Sequence, residues 1–188
     1  MIRRPDQGEG STITSTSTLG DDLASMTGAW VLDVSSSDTM EEYLRCMGMP
    51  RAGIEAQLAG ELIQPSRNVF AIDDSLLLLH KRTRINDITE AFELEAERVT
   101  PAFHGGVKRA VASLLLRGSY DAFVVETLMP THLHTFRLVE IRRLLGDGST
   151  HMQEIHLHNL DTGIQSTTKR TWKRVTMTQS DRQELFEN

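Results

Sequence analysis

Near the end of the 188-residue chain, Ile164, Ser166, Thr168, Arg170 and Trp172 alternate with Gln165, Thr167, Lys169, Thr171 and Lys173. In a strand, side chains two apart share a face. Ile164 and Trp172 turn the first set inward, and Arg170 goes with them. A guanidinium stays ionised in a protein, and a buried charge without a partner is costly. Arg170 therefore calls for an anion. A ligand carboxylate would supply one through a charge-assisted contact worth roughly 1.5–3 kcal/mol. An internal acid, such as Glu140 or Glu126, would also compensate the charge. Trp172 can donate one N–H hydrogen bond and accept none.

Two further patterns could do chemistry. His132 and His134, and again His156 and His158, place paired imidazoles on one strand face. Imidazole suits zinc or copper, and a single histidine can be a haem axial ligand. No cysteine or carboxylate spacing joins either pair, so solvated surface histidines are the preferred reading, and no metal or cofactor is assigned. Cys46 falls in a predicted helix with no nucleophile motif around it, and no Gly-rich phosphate loop is present. The chain is thus read as a binding protein and not an enzyme. A Ser-His-Asp set stays open, because its members lie far apart in sequence.

The elements that position these residues follow from periodicity. Trp30, Leu32 and Val34 alternate with Val31, Asp33 and Ser35 as a first strand. Ser37 or Asp38 can cap a helix carrying Glu41 and Glu42 in its first turns, with Met40, Tyr43, Leu44 and Met47 on one face. Gly48 ends it. Pro50 suits the first turn of a second helix, in which Ile54 and Leu58 share a face, and Pro65 closes the pair. Beyond Pro65 the chain reads as short strands and turns: Val69–Ile72, Leu76–Thr83, Ile88–Glu97, Val107–Leu116, Tyr120–Met129, His132–Leu145, Met152–Leu160 and Ile164–Thr176. Turns are expected at Asp73-Asp74, His104-Gly105-Gly106, Arg117-Gly118-Ser119, Gly146-Asp147-Gly148 and Asp161-Thr162-Gly163. Ser180 and Gln183 form a capping box for a terminal helical turn. A meander this long closes on itself, because closure removes unpaired edges.

Composition bounds the function. Apolar residues make up 39% and charged residues 24%, which marks a globular chain. The net charge of −6 argues against a nucleic-acid partner. The single cysteine, Cys46, allows no internal disulfide and fits a reducing compartment. No apolar run approaches the ~20 residues that span a bilayer, and no secretory apolar segment opens the chain. Asp6, Glu9, Asp21 and Asp22 count against a transit peptide. A cytoplasmic protein without stable membrane insertion is expected. Residues 1–20 read as a flexible Ser/Thr-rich tail, 21–176 as the barrel domain, and 177–188 as a C-terminal extension.

The order of strand, helix-turn-helix and antiparallel meander resembles the intracellular lipid-binding protein family, the fatty-acid-binding and cellular retinoid-binding proteins of the calycin superfamily. Gly28-Ala29-Trp30-Val31-Leu32 is similar to that family's opening Gly-x-Trp-x-Leu. Met40 to Met49 is similar to its first-helix motif, Ile63-Gln64-Pro65 to its Lys-Pro before the second strand, and Arg170-Thr171-Trp172 to its closing Arg-x-Tyr. The likeness covers about residues 26–175. Met40 stands where the family prefers Phe, Trp172 replaces Tyr, and the late hairpins are longer.

The resemblance implies an all-β fold: a ten-stranded antiparallel up-and-down, lipocalin-like β-barrel, with a helix-turn-helix lid between the first two strands. It implies a monomeric carrier of a small-molecule lipid, a long-chain fatty acid or retinoid-like amphiphile, with its carboxylate on Arg170 and Trp172. The family uses a second inward arginine before a Gly-containing turn. Arg142 and Arg143 both precede Gly146 and face opposite ways, and counting back from Asp147 selects Arg143. Met40, Phe70, Phe92, Leu94, Leu115 and Phe136 are the expected cavity lining, and eight methionines suit an adaptable pocket. The rival readings are a barrel that has lost its lipid and serves as a protein-interaction module, and a haem- or metal-binding barrel.

Overall fold

In a computed structural model of the protein, residues 24–186 are described, apart from 74, 85, 103–105, 117–120 and 147. The expected tail at 1–20 and the turn at 117–119 lie outside the described residues, as do Asp74, His104, Gly105 and Asp147 of the other expected turns.

Ten strands follow one another: β1 (Gly28–Leu32), β2 (Arg67–Ile72), β3 (Leu76–Arg82), β4 (Asp87–Glu93), β5 (Glu97–Pro101), β6 (Val107–Leu116), β7 (Asp121–Pro130), β8 (Thr135–Leu145), β9 (Thr150–Asn159) and β10 (Gln165–Val175). They form one sheet in the order β4-β3-β2-β1-β10-β9-β8-β7-β6-β5. Every ladder is antiparallel, and β1 joins β10, so the sheet curls into a nearly closed barrel. Its one opening lies between β4 and β5, consecutive in the chain. The alternation Phe92, Leu94, Ala96 predicts a single strand over Ile88–Glu97. The chain breaks there instead, because Glu95 takes a positive φ of 63°. The Glu95 N–H then donates to the Ala112 carbonyl at 2.8 Å, which hands the chain across to β6.

Alternation decides what lies inside. On β9, His151, Gln153, Ile155, Leu157 and Asn159 are buried and their neighbours are not. Trp30, Phe70, Leu77, Leu79, Phe92 and Phe123 pack the closed half of the barrel as one apolar cluster. Phe136 and Leu157 form a second interior cluster with Cys46, beneath the helices.

Two helices stand between β1 and β2: α1 (Glu41–Cys46) and α2 (Arg51–Ile63). Glu41 and Glu42 both reach Arg45 at 2.5 Å, while Leu44 and Cys46 face the barrel. Pro50 is the cap of α2 and stands just before its first turn. Ser37 and Asp38 do not cap α1, whose cap position is Met40 without a side-chain bond. They are used across the barrel: Ser37 Oγ accepts from the Thr171 N–H at 2.9 Å, and Asp38 Oδ2 from the Lys169 N–H at 2.8 Å. The segment leading into the helical pair is thereby tied to β10, so these side chains cannot also serve the helix.

After β10, α3 (Gln179–Phe186) lies on the outside of the barrel. Leu185 covers Ala29 and Val69, which the pleat turns outward. The capping box expected at Ser180 and Gln183 is shifted. Thr178 and Asp181 bond reciprocally: Asp181 Oδ2 accepts the Thr178 N–H at 2.6 Å, and Thr178 Oγ1 accepts the Asp181 N–H at 3.2 Å. Asp181 also takes two bonds from Arg67, at 2.9 and 2.6 Å, which fixes the helix on β2. Among the described residues, no helix is long and apolar enough to cross a membrane.

Candidate functional site

Under α2 the barrel interior holds a cavity of about 180 Å³. Met40 and Glu61 close it from the helical side, Lys81 comes from β3, Glu140 and Arg142 from β8, Gln153 from β9, and Arg170 and Trp172 from β10. The β10 alternation places Arg170 and Trp172 inside as expected, at 3% and 5% exposure.

The internal partner of Arg170 is not the anticipated Glu140 or Glu126. Its Nη2 donates to the carboxylate of Glu61 on α2, and its Nη1 to the Asp38 carbonyl at 3.2 Å. Glu126 is on the outer face, paired with Arg137 at 2.7 Å. Glu140 is inside, but it serves Arg142 at 2.9 Å, Lys81 at 3.3 Å and the Gln153 amide at 2.7 Å. Burial pushes the Glu140 carboxyl up, and Arg142 and Lys81 more than offset this, holding it down at about 2.

The second inward arginine is Arg142, not Arg143. The β8 register faces Arg142 to Gln153 and Phe123, on the side that alternation carries inside with Glu140. Arg143 points outward, 3.8 Å from Glu154. Four residues, 146–149, separate β8 from β9. Gly146 and Gly148 turn with φ of 52° and 78°, so counting from the turn misses by one residue, and one residue exchanges the faces. Arg142 is 1% exposed, with its guanidinium 5.6 Å from the ring centres of both Phe70 and Phe123. Only its Nη2 is hydrogen-bonded; Nε and Nη1 are buried N–H groups without a partner.

Trp172 Nε1 donates to Gln153 Oε1 at 2.9 Å. It therefore orients the amide that serves Glu140. Trp172 also stacks on His151, with ring centres 5.7 Å apart and planes within 9°. His151 is fully buried and bonded through neither ring nitrogen. Burial first, then the nearby Arg142 and Arg174 charges, hold it well below its usual range, so it is a neutral ring.

The cavity wall thus carries three cations, Lys81, Arg142 and Arg170, against two carboxylates, Glu61 and Glu140. Lys81 is also 3.3 Å from Glu90, a buried acid that Lys108 and Arg98 serve at 2.9 and 3.6 Å. Glu61 borders a second hollow as well, an outer groove of about 170 Å³ between α2 and the β3–β4 turn. Arg84 lies over Gly60 there, where an added Cβ would meet its Nη1 at 3.0 Å. Glu61 therefore stands with Gln57, Ser66 and Thr83 in the partition between groove and cavity.

Of the six expected lining residues, Met40 borders the cavity. Phe70 and Phe92 belong to the packed interior cluster, and Leu94 packs against it. Phe136 lies beneath α1. Leu115 is on the outer face, because Leu114, Ala112 and Ala110 are the inward positions of β6. His156 and His158 are on the outward positions of β9, with His156 bonded to Thr167 at 3.2 Å. Among the described residues, neither histidine pair joins a third metal-type ligand. Glu61, Lys81 and His151 carried no sequence signal.

No family model matches the chain, and no curated protein matches it in sequence. Solved structures do match its fold. A structure described as the REP1-NXSQ fatty acid transporter superposes with a TM-score of 0.57 at 15% identity, covering 82% of this chain and 99% of that one. Lipid binding protein 8 (LBP-8) of Caenorhabditis elegans, in its apo form, gives 0.56 at 12% identity over 80% and 96% of the two chains. The ten-stranded barrel with two helices after its first strand is thus the fold of these lipid-binding structures.

Proposed function

We propose that the protein binds and carries, non-covalently, an amphiphilic lipid with a carboxylate head group, a fatty acid being the simplest. The observation that carries this is Arg142, buried in the cavity wall beside Arg170 with two of its N–H groups unpartnered. A ligand carboxylate would accept from those groups, and such contacts are the strong class of hydrogen bond. Arg142 and Arg170 would hold the carboxylate, and Trp172 would act through Gln153. A fatty-acid transporter and a lipid-binding protein share the fold, which supports the same reading, and a cytoplasmic location accords with it.

A cavity of about 180 Å³ is smaller than the roughly 300–1,000 Å³ of common ligand sites. A long acyl chain therefore needs α2 to move outward. The same tightness favours a second reading, a packed barrel that serves as a protein-interaction module.

The test is displacement of a fluorescent fatty acid from delipidated protein. Wild type is expected to bind, and Arg142→Gln and Arg170→Gln to lose at least about tenfold in affinity. No specific binding by wild type would sink the carrier reading and leave the second.

A further inference from the structure

His80 points out of the barrel from β3, yet it is 3% exposed, because α3 covers it. Its Nδ1 lies 2.9 Å from Thr89 Oγ1. That hydroxyl donates its own hydrogen to the Glu184 carbonyl at 3.2 Å. It must therefore accept from His80, which fixes the proton on Nδ1. In the neutral ring, Nε2 is then a bare lone pair.

Two carboxylates confront that lone pair. Asp87 Oδ1 is 3.0 Å from Nε2 and Glu184 Oε2 is 3.1 Å away. Neither oxygen is hydrogen-bonded to Nε2, which is buried without such a partner. The oxygens flank the nitrogen and do not lie in line with an N–H. Arg82 donates to Glu184 Oε2 and meets Asp87 through Oδ2, but neither contact reaches Nε2, whose lone pair still faces two carboxylate oxygens and repels them unless a cation lies between. Ligands of a metal held at 2.0–2.2 Å are spaced roughly 2.8–3.6 Å apart between right-angled and tetrahedral geometry, a range that includes both distances from Nε2. The three atoms all lie within 4.8 Å of one another.

We infer that His80, Asp87 and Glu184 form a site for a divalent transition metal, zinc being the natural probe, that clamps α3 to the β3–β4 hairpin. One imidazole and two carboxylates make a donor set for Zn²⁺, Mn²⁺ or Fe²⁺. The surroundings are those of a supported site. Thr89 orients the imidazole through its other nitrogen, as outer partners of metal-bound histidines do. Arg82 bonds Glu184 and reaches Asp87 Oδ2 at 3.2 Å, leaving Oδ1 turned to His80. The site is on the outer surface and is independent of the lipid proposal.

Full-length protein stripped with a chelator is titrated with zinc alone by calorimetry. Wild type is expected to take up about one zinc in the micromolar range or tighter. His80→Gln and Asp87→Asn should each lose at least about tenfold, and His156→Gln should not change. Asp87 is 58% exposed, so Asp87→Asn tests the site with little risk to the fold. Melting gives a second reading: zinc should raise Tm in wild type and not in Asp87→Asn. If folded wild type binds no zinc, or Asp87→Asn and His80→Gln bind it equally well, the site is overturned and the cation among these groups is a proton.

Discussion

Glu61 of α2 occupies the guanidinium of Arg170 on β10, 109 residues away in sequence. The pair joins the helical cover to the barrel wall at the point where a ligand carboxylate would have to arrive. On the carrier reading Glu61 stands in for that carboxylate, and ligand and helix would compete for one arginine. Glu61→Gln is expected to tighten binding of a fatty acid by about tenfold, while a fatty alcohol of equal length gains nothing. The ratio of the two affinities, measured by probe displacement in both proteins, is the readout. An unchanged ratio shows that Glu61 does not compete.

Arg142 and Glu140 allow a stability test that needs no ligand. Removing one partner of a buried pair leaves an uncompensated charge, whereas replacing both with apolar residues is often neutral. Arg142→Met is expected to cost about 3 kcal/mol in chemical denaturation. The double replacement Arg142→Met with Glu140→Met should recover most of it, since Lys81 keeps its contact with Glu90.

The same carboxylate sets an acid limit. Glu140 is held at about 2, below the ordinary 4.5. A carboxyl depressed in the folded state contributes stability that is complete above the unfolded value and is lost as pH falls through the folded one. Glu140 should therefore destabilise the barrel progressively between about pH 4.5 and 2. In Glu140→Gln the fall in unfolding free energy over that window should be shallower than in wild type.

Asp181 anchors α3 through Arg67 and Thr178, and these bonds outweigh burial and depress its carboxyl. Asp181→Asn keeps the shape and removes the charge. It should cost about 2–3 kcal/mol and speed amide exchange along α3, while the barrel strands keep their protection. Exchange that rises equally across the sheet would show that the helix is not a separable unit.

The order of elements was legible because each rests on local chemistry. Trp30 with its alternating neighbours, the acidic start of α1, Pro50 and the strand turns all act within a few residues. Arg170 and Trp172 were legible for the same reason, since strand parity near an inward tryptophan needs no distant information. Parity fails where a turn of unknown length comes between: counting back from the turn selects Arg143 over Arg142, and Leu115, expected inside, lies on the outer face. Glu95 hid the break between β4 and β5, because a positive φ at glutamate has no mark in the sequence. Glu61 was concealed by its own helix. Leu62 and Ile63 beside it are 70% and 80% exposed, so the end of α2 turns a carboxylate inward and its apolar residues out. Broken local rules of this kind are expected at functional or strained positions.

The bonds from Ser37 and Asp38 to β10 have a consequence for how the molecule assembles. Ser37 and Thr171 are 134 residues apart, and the partners that pair β1 with β10, from Leu32 with Trp172 to Ala29 with Val175, lie farther apart still in sequence. Hairpins such as β2–β3 and β8–β9 form from neighbours in about microseconds, but this seam forms only when nearly the whole chain has been threaded. High contact order slows such folding to roughly milliseconds or longer. The helical cover is stitched to the strand that arrives last, so closing the barrel and seating the cover are one late event.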